Sequence, residues 1–387
     1  MGAHAFLAPS SAHIWGSPRG CRAYPRLSAP YAGAETDESR AGDACHEVGA
    51  EAIAQRMRAM APQYGPGTVA SNGVVIDDEL AEAVEVYEAA AWAHMVRLGC
   101  FSGDAVWLER RLDPALRVHP DNWGTPDVLI YSARAAELVV LDAKFGHGLV
   151  EAPENWQLIN YAALAIEALG LDGIDEQRIT FRLVVVQPRG YHRDGPVREW
   201  AISGADLRNY VNQLATAAAE AVHPDAKART GPHCRHCEAR HVCPAARLVG
   251  LDCIEVAHAA APQPLPVDAI ALELRWLERA AKALEYRITA LREHAEALAR
   301  AGTPPPGLAL SPKVGRLAWL QDKRDVFALG EMLGVDLRRD EPVTPTQAKK
   351  LAGKDAAELI DSYAHRPPAG FELVPCEATL AARVFKK

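Results

Sequence analysis

The protein has 387 residues, of which 49% are apolar, and a formal net charge of −8 at pH 7. A chain of this length and apolar content can bury a substantial core, which excludes a wholly disordered protein. No run of about 18 apolar residues is present, so no membrane span is expected. The first residues, MGAHAFLAPSSAHIW, lack the basic and apolar regions of a signal peptide. The sequence therefore predicts a cytoplasmic protein, and its pI of about 6.0 argues against coating nucleic acid through overall charge.

Helix and strand patterns alternate through the first half of the chain. A short helix is expected at Ser10 to Trp15, and longer helices at about Ala41 to Met60 and Asp77 to Leu98. Four segments rich in β-branched and aromatic residues are predicted as strands: VWLERRL, DVLIY, ELVVLDAKF and RITFRLVVVQPR. A helix started by Pro153 and ended by Gly170 is predicted between the third and fourth strands. This order predicts an α/β core with a mixed sheet flanked by helices.

The chain after this core is predicted to form a mainly helical appendage. A helix at about Gly204 to Val222 leads into a cysteine-rich segment, and APQPLP at 261–266 has the composition of a linker. The predicted domains are therefore residues 1–258 and residues 267–387.

A long helix is predicted in this appendage. Apolar residues recur at steps of four and three from Ile270 to Leu298, which is the seam of a helix packed lengthwise on a partner. Packing within the chain is favoured over a dimer, because Ala281 and Ala295 make the seam thin. A further short helix is expected from Pro345.

Charged residues stand where two predicted strands meet. Asp127 begins DVLIY, and Asp142 lies near the end of ELVVLDAKF, with Lys144 two residues later. Because side chains alternate along a strand, Asp142 and Lys144 share one face, while Ala143 leaves its carbonyl oxygen available. The two carboxylates and this carbonyl would converge on one divalent cation, Mg²⁺ or Mn²⁺, which prefers oxygen ligands. The cation would lower the pKa of a bound water that Lys144 holds or helps to deprotonate, which is the chemistry of phosphodiester hydrolysis.

Further residues favour this interpretation over a plain ion pair at a strand end, which D-x-K alone would indicate. Gln157 and Tyr161 share one face of the next predicted helix, where an amide and a phenol can contact DNA or position the lysine. His46, near a helix start, can supply a neutral imidazole as another metal ligand. Trp156 can stack on a base, although a core position is favoured.

These residues resemble the RecB-type branch of the PD-(D/E)xK nuclease superfamily. The resemblance is carried, in chain order, by His46, the G-x-P-D of Gly124 to Asp127, the D-A-K of Asp142 to Lys144 and the Q-x-x-x-Y of Gln157 to Tyr161. It implies a restriction-endonuclease-like sheet and a metal-dependent DNA nuclease. His46, Asp127 and Asp142 would bind metal, and Lys144 would be catalytic, with Gln157 and Tyr161 completing the site.

The segment CRHCEARHVCP contains three closely spaced cysteines, Cys234, Cys237 and Cys243. In a cytosolic chain such a group indicates metal binding before disulfide formation. Three thiolates need a fourth ligand for a tetrahedral zinc site or a cubane iron–sulfur cluster. Cys21 is the best candidate and Cys253 the alternative. Three nearby histidines could also serve zinc or extend a basic surface: His233, His236 and His241.

One cysteine ahead of the nuclease motifs and three behind them is similar to the iron–sulfur nucleases of the AddB and CRISPR-associated exonuclease type. The resemblance implies a 4Fe–4S cluster held by Cys21, Cys234, Cys237 and Cys243. Such a cluster pins the N-terminal segment to the end of the nuclease domain and stabilises DNA binding. Zinc remains the alternative, because the spacing of the cysteines does not distinguish a zinc site from an iron–sulfur cluster.

Over its whole length the chain resembles phage and prophage proteins grouped as domain-of-unknown-function family 2800. The resemblance is carried by S-S-A-H-x-W from Ser10, G-x-x-x-H-E around His46, and PVTPTQAKKLAG. One departure is Ala41, which stands where an acidic residue is usual. The tail motifs carry no chemistry of their own.

The leading hypothesis is a metal-dependent DNA exonuclease of phage replication or recombination, acting on single strands or duplex ends in the bacterial host cytoplasm. Basic residues between Lys227 and Arg247 would supply DNA affinity. The alternatives are a catalytically silent nuclease-fold scaffold that binds DNA or a phage protein, and a zinc-ribbon regulator. An oligomer is compatible with each of them.

Overall fold

In a computed structural model, the chain divides into two compact units, Met1–Arg287 and Ile288–Lys387. The structure describes residues 5–31, 36–171, 173–258, 266–314, 317–320, 322–337, 342–353 and 356–375. No helix within these ranges is both long and apolar enough to cross a membrane.

Short helical segments and two long helices precede the sheet of the first unit. They are a 3₁₀ turn at Pro9–Ser11, α1 (Ala12–Trp15), α2 (Tyr24–Ser28), α3 (Asp37–Met57) and α4 (Asp78–Leu98). α3 begins ahead of the predicted Ala41, because the side chains of Thr36 and Ser39 each accept a hydrogen bond from the other's backbone N–H. α4 agrees with the prediction, and Asp77 caps its start by accepting from the Leu80 backbone N–H.

Five strands form one mixed sheet in the order β1-β2-β3-β4-β5. They are β1 (Val106–Leu108), β2 (Val128–Ser132), β3 (Glu137–Ala143), β4 (Thr180–Val186) and β5 (Val197–Ser203). β3 and β4 run parallel, joined through α5 (Trp156–Ala168) and α6 (Gly173–Arg178), and all other neighbours are antiparallel. The predicted α/β class and mixed sheet are confirmed.

Two boundaries of the prediction are wrong for local reasons. α5 begins at Trp156 rather than Pro153, because the Asn155 side chain accepts hydrogen bonds from two backbone N–H groups of the first turn. β1 ends at Leu108, short of the predicted VWLERRL, because Glu109 adopts a left-handed backbone with φ 44°.

β5 was missed because its sequence, VREWAIS, does not alternate cleanly. Arg198 is buried within it and donates hydrogen bonds to the carbonyls of Gly195 and Val150 and to the Gln187 side chain. A buried arginine with this many acceptors replaces an apolar residue at an inward position.

The sheet carries an apolar layer on each face. α3 and α4 pack on the side chains of Val128, Ile130, Val139 and Leu141. On the other face, α5 and α7 (Gly204–Val222) pack on Leu129, Leu138, Val140 and Leu183. Successive residues of each strand therefore contribute to opposite layers.

The first unit continues through α7, which has its predicted bounds, two 3₁₀ turns at Pro232–His236 and Glu238–His241, and α8 (Pro244–His258). α9 (Val267–Arg300) confirms the predicted long helix. Its seam residue Leu284 lies over Gly250 of α8, whereas Ile270, Leu274 and Leu277 are exposed. Residues 261–265 of the predicted linker lie outside the described residues.

The second unit holds helices and small sheets, so the predicted appendage is not helical throughout. Its elements are β6 (Leu308–Val314), β7 (Ala318–Trp319), α10 (Lys323–Leu333), α11 (Pro345–Ala352), α12 (Ala357–Ser362), β8 (Ala364–His365) and β9 (Pro368–Pro375). β6 pairs with β9 and β7 with β8, both antiparallel. α11 begins at Pro345 as predicted, and Thr344 and Gln347 form its capping box.

Candidate active site

Two carboxylates face each other where β2 begins and β3 ends. Asp127 directly precedes β2, and the antiparallel pairing of Val128 with Leu141 sets it beside Asp142. Both residues are buried, at 7% and 2% exposure. The Ala143 backbone N–H donates a 2.6 Å hydrogen bond to Asp127 Oδ2, which fixes that carboxylate against β3. The predicted hairpin therefore brings the two acids together.

Asp142, Lys144 and Gln157 form a closed ring of polar contacts. Lys144 Nζ lies 2.7 Å from Asp142 Oδ2 and donates to Gln157 Oε1 at 3.0 Å, while Gln157 Nε2 donates to Asp142 Oδ1 at 2.7 Å. The ring forms because Asp142 and Lys144 project from the face of β3 that α5 covers, and Asn155 fixes the first turn of α5. Gln157 therefore contacts Lys144 directly, as it must if it is to position the lysine.

Burial and neighbouring charges act in opposite directions in this ring. Burial lowers the pKa of Lys144, but Asp142 and then Asp127 more than offset this, so its pKa is raised. Burial raises the pKa of Asp142, and Lys144 opposes the shift. The ring therefore holds an ammonium group at the carboxylates.

A group of three side chains could hold a metal ion, and one of them was not predicted. It consists of His46 from α3, Glu109 after β1, and Asp127, whose ligand atoms all lie within 4.8 Å of one another. His46 Nδ1 is 3.5 Å from Asp127 Oδ2 and 3.8 Å from Glu109 Oε1. Glu109 is held in place by its backbone N–H, which donates to the Asp127 carbonyl at 2.9 Å. Glu109 lies inside the predicted strand VWLERRL, and no local pattern there marks it as a site residue.

Two observations show that this group suits a cation. His46 Nδ1 is buried and has no hydrogen-bond partner among the described residues. Burial, then Asp127 and Asp142, raise the pKa of Glu109 to about 8. A divalent cation would give this imidazole nitrogen a partner and would offset the repulsion between the carboxylates. The donor set of one nitrogen and two carboxylates suits such an ion.

The structure divides the predicted metal ligands between two tasks. His46 and Asp127 lie in the three-residue group with Glu109. The Asp142 carboxylate instead contacts Lys144 through Oδ2 and Gln157 through Oδ1. Ala143 reaches the site through its backbone N–H, and coordination through its carbonyl stays a prediction.

Tyr161 lies on the same side of α5 as Gln157 and is buried beneath the site. Burial, followed by Asp142 and Asp127, raises its pKa well above its usual range, so the phenol stays neutral. Gly124 of the predicted G-x-P-D motif explains how the ring fits. A Cβ at Gly124 would lie 2.7 Å from Pro9 Cγ and 3.1 Å from Tyr161 Cε1.

The predicted cysteines gather at a second place in the first unit. Cys21, Cys234 and Cys243 are buried and Cys237 is half-buried, and all four are free thiols. Burial raises the pKa of Cys21 and Cys234, and that of Cys237 to about 12. The thiolate forms that a metal requires would therefore need a cation to stabilise them. The side chain of Cys253, the alternative ligand, lies outside the described residues.

Backbone N–H groups point at two of these sulfurs. Arg229 N–H donates to Cys21 Sγ and Gly231 N–H to Cys234 Sγ, each at 3.4 Å. Hydrogen bonds of this kind orient and stabilise metal-bound sulfur. Two of the nearby histidines contact backbone carbonyls: His233 that of Arg229 and His241 that of Glu238.

The N-terminal segment is joined to the cysteine region by ordinary contacts as well. The Ala23 N–H donates to the Lys227 carbonyl at 3.2 Å, and Arg22 Nε donates to Glu220 at 2.7 Å. Arg26 donates to the carbonyl of Pro224. Hydrogen bonds therefore join the N-terminal segment to residues some 200 positions later in the chain.

A family model described as "Protein of unknown function (DUF2800)" matches residues 4–379, nearly the whole chain. The chain belongs to the DUF2800 family. The resemblance noted from S-S-A-H-x-W and PVTPTQAKKLAG is thereby confirmed. Among solved structures, SSO0001 matches 42% of this chain and 74% of its own, with 20% identity and a TM-score of 0.23, which is too low to establish a common fold.

In this DUF2800 protein, two other predicted features take defined positions. Trp156 is buried and contacts Tyr210 edge-to-face at 5.8 Å between ring centroids, in agreement with a core position. Four basic residues of the cysteine region are exposed: Lys227, Arg229, Arg235 and Arg247.

Proposed function

We propose that the protein is a metal-dependent DNA nuclease, acting as an exonuclease in phage replication or recombination, with a restriction-endonuclease-like sheet. The observation that carries the proposal is the ring of Asp142, Lys144 and Gln157 beside Asp127. A lysine clamped between a strand carboxylate and a helix amide, next to a group able to bind a cation, matches the chemistry of phosphodiester hydrolysis.

Each side chain has a distinct task in this proposal. His46, Glu109 and Asp127 would hold Mg²⁺ or Mn²⁺, with Asp142 beside them. The cation would supply Lewis acidity at the phosphate and an acidified water. Lys144, held as an ammonium by Asp142, would orient the attacking water and neutralise charge on the phosphate oxygens. Gln157 keeps the lysine aimed at this position.

The experiment is cleavage of DNA labelled at its 5′ or 3′ end, single- and double-stranded, with Mg²⁺ or Mn²⁺. Lys144→Met should lower the rate at least about 100-fold, since a positioned charged group of this kind contributes on that order. The matched control is Lys282→Met, which removes an exposed lysine on α9 that contacts Glu285. Wild-type protein that cleaves no faster than Lys144→Met would refute the proposal and favour the catalytically silent, DNA-binding scaffold.

We further propose that the four cysteines bind a 4Fe–4S cluster rather than zinc. Sulfurs on one tetrahedral zinc lie about 3.8 Å apart, since each Zn–S bond is about 2.3 Å. Among the described residues, no three of these sulfurs lie within 4.8 Å of one another. A cubane cluster binds its cysteines through different iron atoms, so it accommodates sulfurs that lie farther apart.

Metal analysis after anaerobic purification tests this assignment. Wild-type protein should contain iron and acid-labile sulfide, and Cys21→Ser should lose most of both. Cys100→Ser is the matched control, because Cys100 is a buried free thiol that packs in the α3–α4 layer. Stoichiometric zinc without iron would contradict the cluster.

A further inference from the structure

A phenol hydroxyl is buried without a partner next to the candidate active site. Tyr87 of α4 has 0% exposure, and its hydroxyl makes no hydrogen bond among the described residues. A buried hydroxyl without a partner is destabilising, and phenylalanine would fill the same space without that cost. The contacts of the described residues therefore do not account for this hydroxyl.

The ring of Tyr87 is held in one position by its neighbours. A Cβ at Gly49 of α3 would lie 2.4 Å from Tyr87 Cδ1, so the ring fits only because this residue is glycine. Phe145 and His46 contact the ring edge-to-face, with centroids 6.0 and 6.4 Å away, and their own centroids are 5.0 Å apart. Two of these neighbours adjoin the site directly, because Phe145 follows Lys144 and His46 is a candidate ligand.

The electrostatics of Tyr87 connect it to the same carboxylates. After burial itself, Asp127, Glu109 and Asp142 raise its pKa well above the usual range. A phenol hydroxyl can donate one hydrogen bond to a carboxylate oxygen. It approaches from the α3–α4 face of the sheet, opposite to the face from which Gln157 and Tyr161 approach.

We propose that Tyr87 is a positioning residue of the candidate active site, whose hydroxyl donates a hydrogen bond to the oxygen ligands gathered there when a divalent cation is bound. The inference rests on the proposed metal-dependent function. It adds a donor from α4 that the sequence motifs do not include. In this arrangement the stability lost by burying the hydroxyl is recovered on cation binding, so the site favours the loaded state.

The test is Tyr87→Phe, measured with Mn²⁺ alone by calorimetric titration and by thermal unfolding with and without Mn²⁺. The variant should melt at or above the wild-type temperature without Mn²⁺, because the unpartnered hydroxyl is gone. It should bind Mn²⁺ about ten-fold more weakly, the lower range for loss of a group that hydrogen-bonds metal ligands. Its gain in melting temperature on adding Mn²⁺ should be correspondingly smaller.

Tyr131→Phe is the matched control, because Tyr131 lies on β2 of the same sheet at the end away from Asp127. It should bind Mn²⁺ as the wild type does. Equal Mn²⁺ affinity in Tyr87→Phe and wild type would overturn the inference and leave the proposed function intact. A lower melting temperature of Tyr87→Phe without Mn²⁺ would also overturn it, since the hydroxyl would then have an internal partner. Wild-type protein that binds no Mn²⁺ would refute both proposals.

Discussion

If the proposed site binds a cation, Glu109 should make that binding depend on pH in a way that can be measured directly. Burial, followed by the charges of Asp127 and Asp142, raises the pKa of its carboxyl to about 8. At pH 7 the carboxyl is therefore mostly protonated, and a cation that binds through it must displace the proton. A pKa of 8 corresponds to release of about 0.9 proton per cation at pH 7 and about 0.2 at pH 8.5.

The same shift sets the sign of two pH effects. Cation affinity should rise between pH 7 and 8.5 by up to about eight-fold, which is an upper value because the Glu109 side chain is 37% exposed and solvent screens its neighbours. In the metal-free protein the raised pKa means that folding favours the protonated carboxyl. The stabilisation that the protonated Glu109 carboxyl contributes to the fold is present in full below the ordinary pKa of 4.5 and is lost as the pH rises through about 8.

Calorimetric titration of Mg²⁺ in two buffers of different ionisation enthalpy counts the protons released. Glu109→Gln removes the titrating group while keeping the size of the side chain. It should bind Mg²⁺ more weakly at pH 8.5, and it should release about 0.9 proton fewer than wild type at pH 7. Equal proton release by wild type and Glu109→Gln at pH 7 would contradict the reasoning, because the carboxyl would then not be the group that the cation deprotonates.

Three substitutions test the support around the site. Gly124→Ala should destabilise the protein by about 1–3 kcal/mol through the crowding described above, whereas Gly146→Ala, where a Cβ meets nothing within 4 Å, should have little effect in urea unfolding. Gln157→Leu leaves Asp142 Oδ1 without its donor and should cost about 1–3 kcal/mol, together with most of any cleavage activity. Asn155→Ala removes the cap of α5 and should lower the free energy of unfolding by about 1 kcal/mol. Unchanged denaturation midpoints in these variants, apart from Gly146→Ala, would contradict the contacts assigned to them.

The part of the site that could be predicted follows from local periodicity. The alternation of side chains placed Asp142 and Lys144 on one face of β3, and the spacing of four placed Gln157 and Tyr161 on one face of α5. Hairpin pairing then set Asp127 beside Asp142. These relations involve short stretches of chain, and the sequence specifies them almost completely.

The parts that were missed depend on contacts between distant residues. Glu109 joins the site because a left-handed residue ends β1 there and its N–H binds the Asp127 carbonyl. Nothing in VWLERRL marks that turn. β5 was missed because Arg198 is inward-facing and takes its acceptors from Val150, Gly195 and Gln187. A buried charge that is satisfied only by the fold has no signature in the local pattern.

The N-terminal segment relates the two candidate sites to each other. Pro9 packs over Gly124 beside Tyr161. Cys21, twelve residues later, lies in the cysteine group, where its sulfur accepts a hydrogen bond from the Arg229 backbone N–H. The stretch between them is short and well tethered, since Trp15 Nε1 donates to the Ala8 carbonyl and the Cys21 N–H to the Ile14 carbonyl. A metal bound at the cysteines would therefore restrain the segment that packs on Tyr161, and its contribution would be to the order of the carboxylate site rather than to the chemistry performed there.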